Sequence, residues 1–146
     1  MPSRYKSRQS ALQFLFLADM RAQSVEQAAR EFYGSLASDE CEPVDDEDRF
    51  ALELATGAKA AQAEIDQLIV ENSANWRLER MPVVDRNILR LAIYELRALP
   101  TPAAVVIDQA LELGSRFSSE ESLPFLNGVL DAVKQKIRGQ SGNAPA

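Results

Sequence analysis

The residues best suited to chemistry in this chain are cations rather than nucleophiles. Arg4, Lys6 and Arg8 open the sequence, with Tyr5 between them and no acid before Asp19, although the chain as a whole has a formal charge of -6. On a helix, Arg4 and Arg8 lie one turn apart, separated by about 40° around the axis, with Lys6 on the opposite flank. A basic end bearing an aromatic ring has the chemistry to contact phosphates and to stack on an unpaired base. The same three residues also suit an ordinary solvated terminus.

Other reactive types are scarce. Histidine is absent, which removes the commonest general base and metal ligand. A single cysteine, Cys41, makes neither an internal disulfide nor a zinc site, and it fits a reducing compartment. No glycine-rich turn is available to cradle phosphate. Asp45, Asp46 and Asp48 lack the glycine and terminal glutamate spacing of a calcium loop. Enzymatic activity is therefore unsupported, and no cofactor is expected.

Charge is polarised along the chain. Beyond the first eighteen residues, thirteen basic side chains face twenty-two acidic ones. The acidic extreme is SDECEPVDDED, residues 38–48, with seven acids in eleven positions. It reads as a solvated loop whose last acids sit at the positive end of the following helix, with a metal site or a nucleic-acid mimic as alternatives. The longest nearly apolar run, Ala11 to Ala18, falls far short of the ~20 residues of a membrane span. No leader-like segment follows the basic start. A cytoplasmic protein with no membrane association is expected.

The elements that position these residues are all helical. No stretch alternates with period two, and no turn dipeptide separates alternating runs. A first helix is predicted from about Ser3 to Ala22. Its second half is apolar in nearly every direction, which marks a helix buried all round, while its basic first two turns project into water. Ser24 and Gln27 resemble a capping box for a second helix ending near Ser38. A third is predicted over roughly Asp46 to Asn72, with Phe50, Leu54, Ala58, Ala61, Ile65 and Leu68 on its apolar face. Pro82 starts a fourth, through about Ala98. Thr101 caps a fifth with Pro102 in its first turn. A sixth follows Ser119 and fades near Arg138. The fold class is all-α: a compact helical bundle of two packed three-helix sub-bundles, about 1–80 and 81–138, in one domain, with 139–146 a disordered tail.

Three further patterns bear on binding. Arg86, Arg90 and Arg97 fall within about 40° of one another on the fourth helix, with Asn87 and Tyr94 adjacent, forming either a basic strip or a solvated face. On the opposite side Glu95 projects among Val84, Ile88, Leu91 and Leu99, so it needs a cationic partner, and Arg77 or Arg80 just upstream is the expected one. In the sixth helix Phe125 stands off the Leu123, Leu126, Val129, Leu130, Val133 and Ile137 stripe, beside Gly128, Ala132 and Glu121. It is either a contact residue or covered by a neighbouring helix.

Taken together, ALQFLF in the first helix, WRLER at 76–80, DRNILRLAIYEL in the fourth and VVIDQALELGSRFSSEESLPFLNGVLD through the fifth and sixth resemble the NusB family of bacterial transcription antitermination factors. The resemblance runs from about Arg4 to Arg138. It implies an all-helical protein that pairs with the small-subunit ribosomal protein NusE, binds boxA-type single-stranded RNA and joins an antitermination complex on RNA polymerase during ribosomal RNA transcription. On this resemblance the RNA-binding positions are Arg4, Lys6, Arg8, Gln13, Phe16 and Phe125, and the partner-binding positions are Glu121, Phe125 and Tyr94. Tyr5 and Ser7 stand where arginine or alanine is common, and Phe16 where tyrosine is common. Two other readings are an interaction module or homodimer, and an RNA-binding appendage of a ribosomal RNA methyltransferase. The latter needs a long C-terminal methyl-donor domain, and this chain stops at Ala146.

Overall fold

The computed structural model describes residues 3–40, 48–74 and 77–139. Cys41, most of the acidic segment, Trp76 and the tail beyond 139 lie outside the described residues.

Seven α-helices account for most of the described residues: α1 Arg4–Arg21, α2 Val25–Glu40, α3 Arg49–Ala60, α4 Gln62–Asn72, α5 Val83–Ala98, α6 Ala103–Phe117 and α7 Leu123–Lys134. Short 3-10 turns stand at Leu78–Arg80 and Glu120–Ser122, and α7 runs on into a π-helical turn, Gln135–Gly139. The helix expected over 46–72 is two helices. The break falls at Ala61, which leaves helical geometry at φ -97°, ψ 14°, so α4 turns away from α3 and packs on α5 and α7.

Local chemistry fixes the starts. Ser3 is extended, and its Oγ accepts the Lys6 backbone N–H at 3.1 Å. The Ser24 hydroxyl accepts from the Gln27 N–H at 3.1 Å, the first half of the expected box. At α3 the last residue of the acidic run is the cap: Asp48 Oδ1 accepts from the Ala51 N–H at 3.1 Å, where a carboxylate also suits the positive helix end. Its Oδ2 accepts from the Ser7 hydroxyl at 2.6 Å, and its own N–H donates to the Tyr33 hydroxyl at 2.9 Å. Asp48 thereby joins α1, α2 and α3 at one point. The α6 cap is Pro102 rather than Thr101, one residue later than expected.

The helix α1 is the axis of the first half, packed by α2, α3 and α5. Ala11, Leu12, Phe14, Leu15 and Ala18 are buried, whereas Met20 is 60% exposed. Phe16 and Leu17 are also only half-buried, so α1 is buried on one side rather than all round, because α2, α3 and α5 do not close over its whole circumference. Phe14 meets Phe32 and Tyr33 of α2 edge-on, with ring centroids 5.4 and 5.7 Å away. In the second half, α5, α6 and α7 pack mutually.

The helix α5 touches α1, α3, α4, α6 and α7. It carries four buried polar side chains, Asp85, Asn87, Arg90 and Glu95, and each must find partners because an unpaired buried charge is strongly disfavoured. Those partners come from different elements. Ser118 and Ser122, which flank the turn before α7, donate to Asp85, the Ser122 contact being 2.8 Å. Arg90 forms a two-point bond with Asp66 of α4 at 2.8 and 3.0 Å. Asp19 of α1 accepts from Arg86, Asn87 and Arg90 at 3.3 to 3.4 Å. The end of α5 is closed by Arg138, whose guanidinium donates to the carbonyls of Leu96, Leu99 and Thr101, as cations at helix C-termini do.

Candidate nucleic-acid interface

Ser3 capping and the αR start of α1 set three cations on two turns, and the fold treats each differently. Arg4 is exposed, and its guanidinium carbon lies 3.8 Å from the centre of the Phe50 ring, at the start of α3. Lys6 is exposed, and its ammonium has no ion-pair partner among the described residues. Arg8 turns inward and is only 7% exposed. Its Nε donates to Glu95 Oε1 at 2.9 Å and its Nη2 to Glu95 Oε2 at 2.6 Å, the fork geometry that makes arginine–carboxylate pairs strong. Nη1 reaches Gln109 Oε1 of α6 at 3.4 Å, and the Phe50 centroid lies 5.7 Å from the Arg8 guanidinium carbon.

This corrects two expectations. The cationic partner of Glu95 is Arg8, not Arg77 or Arg80. Arg8 itself, expected beside Arg4 and Lys6 as a surface cation, is spent on that pair. The physical reason is the same in both cases: Glu95 is 2% exposed, and only a side chain arriving from a packed neighbour, α1, can bring a guanidinium to it.

The strip expected on α5 is also not a free basic surface. Arg86 and Arg90 are held by Asp19 and Asp66, and Arg97 pairs with Glu64 at 2.7 Å. Tyr94 is half-buried against α3, its ring filling the space beside Gly57, where an added Cβ would stand 2.1 Å from the ring. Only a residue without a side chain lets that ring approach so closely.

Of the remaining candidates, Gln13 and Phe16 are half-buried further along α1. Glu121 is exposed in the 3-10 turn that Asp85 anchors through Ser122. Phe125 is half-buried and packs against the core, so the ring off the main stripe is partly covered by its neighbours. The structure therefore brings Arg4 to Phe50, and Arg8 to Phe50, Glu95 and Gln109, while Lys6 stands apart on the exposed surface of α1. It sets Glu121 in the 3-10 turn before α7 and Phe125 on α7 itself, which packs on α4, α5 and α6; α5 and α6, which carry Glu95 and Gln109, adjoin both groups.

Phe50 and Gln109 are the site residues that sequence reasoning missed. Phe50 reads as one more apolar position of an amphipathic helix, and nothing local ties it to cations more than forty residues upstream. The signal for Glu95 was present, a carboxylate on an apolar face, but proximity in sequence is a poor guide to who answers it.

A model of the NusB family matches residues 5–135 of this chain. The chain belongs to the NusB family. The transcription antitermination protein NusB of Solibacter usitatus is 50% identical over 145 residues, covering 99% of this chain and 96% of the relative. Among solved structures, T. maritima NusB superposes with a TM-score of 0.79 at 30% identity, covering 97% of this chain and 98% of the other. A chain from the crystal structure of antitermination factors NusB and NusE in complex with dsRNA shares the fold, with a TM-score of 0.73 at 24% identity over 92% of this chain and 99% of that one. Arg8, Phe50, Glu95 and Gln109 all lie inside the NusB match, and Arg4 stands one residue before it.

Proposed function

We propose that this NusB-family chain is a non-enzymatic, RNA-binding transcription antitermination factor. It pairs with the small-subunit ribosomal protein NusE, binds boxA-type single-stranded RNA and acts with RNA polymerase in ribosomal RNA transcription. The observation that carries this reading is the pair of exposed cations, Arg4 and Lys6, on the first turn of α1 of an otherwise acidic molecule. An acidic body repels a polyanion in most orientations, while a local basic end admits it in one, which selects a docking pose over indiscriminate adhesion. The relatives' shared name, transcription antitermination protein NusB, supports the same reading. So does the fold held in common with a chain of the NusB and NusE complex with dsRNA.

In this reading Arg4 and Lys6 contact phosphates, with Gln13 and Phe16 further along the same helix available to the ligand. Glu121 and Phe125 form the partner side, and Tyr94 supports it from within by fixing α5 against α3. Two phosphate contacts make a weak site, as expected of a surface that a protein partner completes. The test is a titration of fluorescently labelled boxA RNA with the NusE-bound protein, comparing wild type with Arg4→Glu/Lys6→Glu. Binding is expected to fall well over tenfold while helical circular dichroism stays the same. Unchanged affinity would overturn the assignment of the RNA contact to this end.

A further inference from the structure

Three side chains stand in series behind Arg4. Glu95, buried on α5, grips Arg8 at two points; the Arg8 guanidinium carbon lies 5.7 Å from the Phe50 ring centre; and the Arg4 guanidinium carbon lies 3.8 Å from that same centre. Only Arg4 of the four is exposed. We propose that Phe50 is a positioning residue for RNA binding: its ring, packed against the core beside the Arg8–Glu95 pair, holds the Arg4 guanidinium in place at the surface so that the ligand meets a cation already oriented. This inference rests on the RNA-contact reading above and adds a residue to it.

The physical case is one of preorganisation. A free arginine side chain samples many rotamers, and freezing it against a phosphate takes back part of the binding energy. A guanidinium seated on an aromatic ring has surrendered that freedom beforehand, held by attraction to the ring's negative face. The seat must itself be rigid, or the freedom is merely passed down. Phe50 lies in the first turn of α3, two residues after its Asp48 cap, and is half-buried. Arg8 cannot leave without abandoning a carboxylate that is 2% exposed. Among the described residues Lys6 has no comparable seat, so the two surface cations are unequal, with Arg4 the directional contact and Lys6 a diffuse one.

The experiment is a mutant cycle read by anisotropy of labelled boxA RNA on the NusE-bound protein, with thermal melting of each variant alongside. Phe50→Leu keeps an apolar side chain and removes the ring face; Phe50→Tyr keeps the face. Phe50→Leu is expected to weaken RNA binding roughly two- to fivefold, the equivalent of one exposed cation–ring contact. Phe50→Tyr is expected to bind as wild type, and Phe50→Leu to have no further effect once Arg4→Ala is present. If Phe50→Leu unfolds the chain, Phe50→Met takes its place in the same cycle. Wild-type affinity in the ring-less variant, or an equal loss with and without Arg4, would overturn the positioning role. If Arg4→Ala alone leaves RNA binding unchanged, the RNA-contact reading fails, and the positioning role fails with it.

Discussion

Arg8 and Glu95 are 87 residues apart in the chain and share two hydrogen bonds of 2.9 and 2.6 Å inside the protein. This pair joins the first helix to the helix at the centre of the molecule, and it decides which cations of the basic end remain outside.

Breaking the pair on one side should be far worse than removing it whole. Glu95→Ala leaves a guanidinium buried without its counter-charge and is expected to cost about 3 to 5 kcal/mol. Arg8→Met combined with Glu95→Leu replaces both charges with apolar volume and should cost markedly less than Glu95→Ala. Urea denaturation of the three proteins measures the difference, and equal losses would mean that the pair is not desolvated.

Salt dependence isolates the exposed lysine. Lys6→Ala should lower the slope of log affinity against log salt by about 0.7, the value for one phosphate contact on single-stranded nucleic acid. The loss should be similar for boxA and scrambled RNA, because a phosphate contact positions without reading sequence. A slope equal to wild type would place Lys6 outside the interface.

Gly57→Ala tests the close approach of α3 and α5. An added Cβ would stand 2.1 Å from the Tyr94 ring, so the ring or the helix must shift, at a cost of about 1 to 3 kcal/mol. Adding Tyr94→Leu should recover part of that loss, since neighbours in contact are not additive. Melting temperatures of the single and double variants check this, and strictly additive losses would contradict it.

Ala22 ends α1 in the left-handed region at φ 51°, ψ 45°, a conformation that costs a residue with a Cβ more than it costs glycine. Ala22→Gly is expected to stabilise the protein by about 0.5 to 1 kcal/mol, as left-handed helix ends generally favour glycine. Thermal melting reads it directly, and a lowered midpoint would count against strain at this position.

Helix content was legible from the sequence because it is written locally. Ser24 beside Gln27, Pro82 before a periodic run, and the stripe from Leu123 to Ile137 each point to a helix by short-range rules. The break at Ala61 was not legible, because the apolar period runs through it without a proline or glycine at the break itself. Pairing among charges was the least readable layer. Arg86, Arg90 and Arg97 form a neat arc on a projection, yet their acids, Asp19, Asp66 and Glu64, arrive from two other helices. Glu95 announced its need for a cation but not the source. A one-dimensional pattern shows which face a residue occupies, whereas the identity of the facing side chain depends on how distant helices cross.

The concentration of buried charge on α5 has a bearing on how the chain comes together during synthesis. Asp19 and Arg8 emerge from the ribosome early, and the side chains that answer them, Arg86, Asn87, Arg90 and Glu95, follow some seventy to ninety residues later. Until then Arg8 lacks the carboxylate it pairs with in the finished molecule. The surroundings of Arg8 are therefore completed only after α5 has been made, although Arg8 itself is translated near the start.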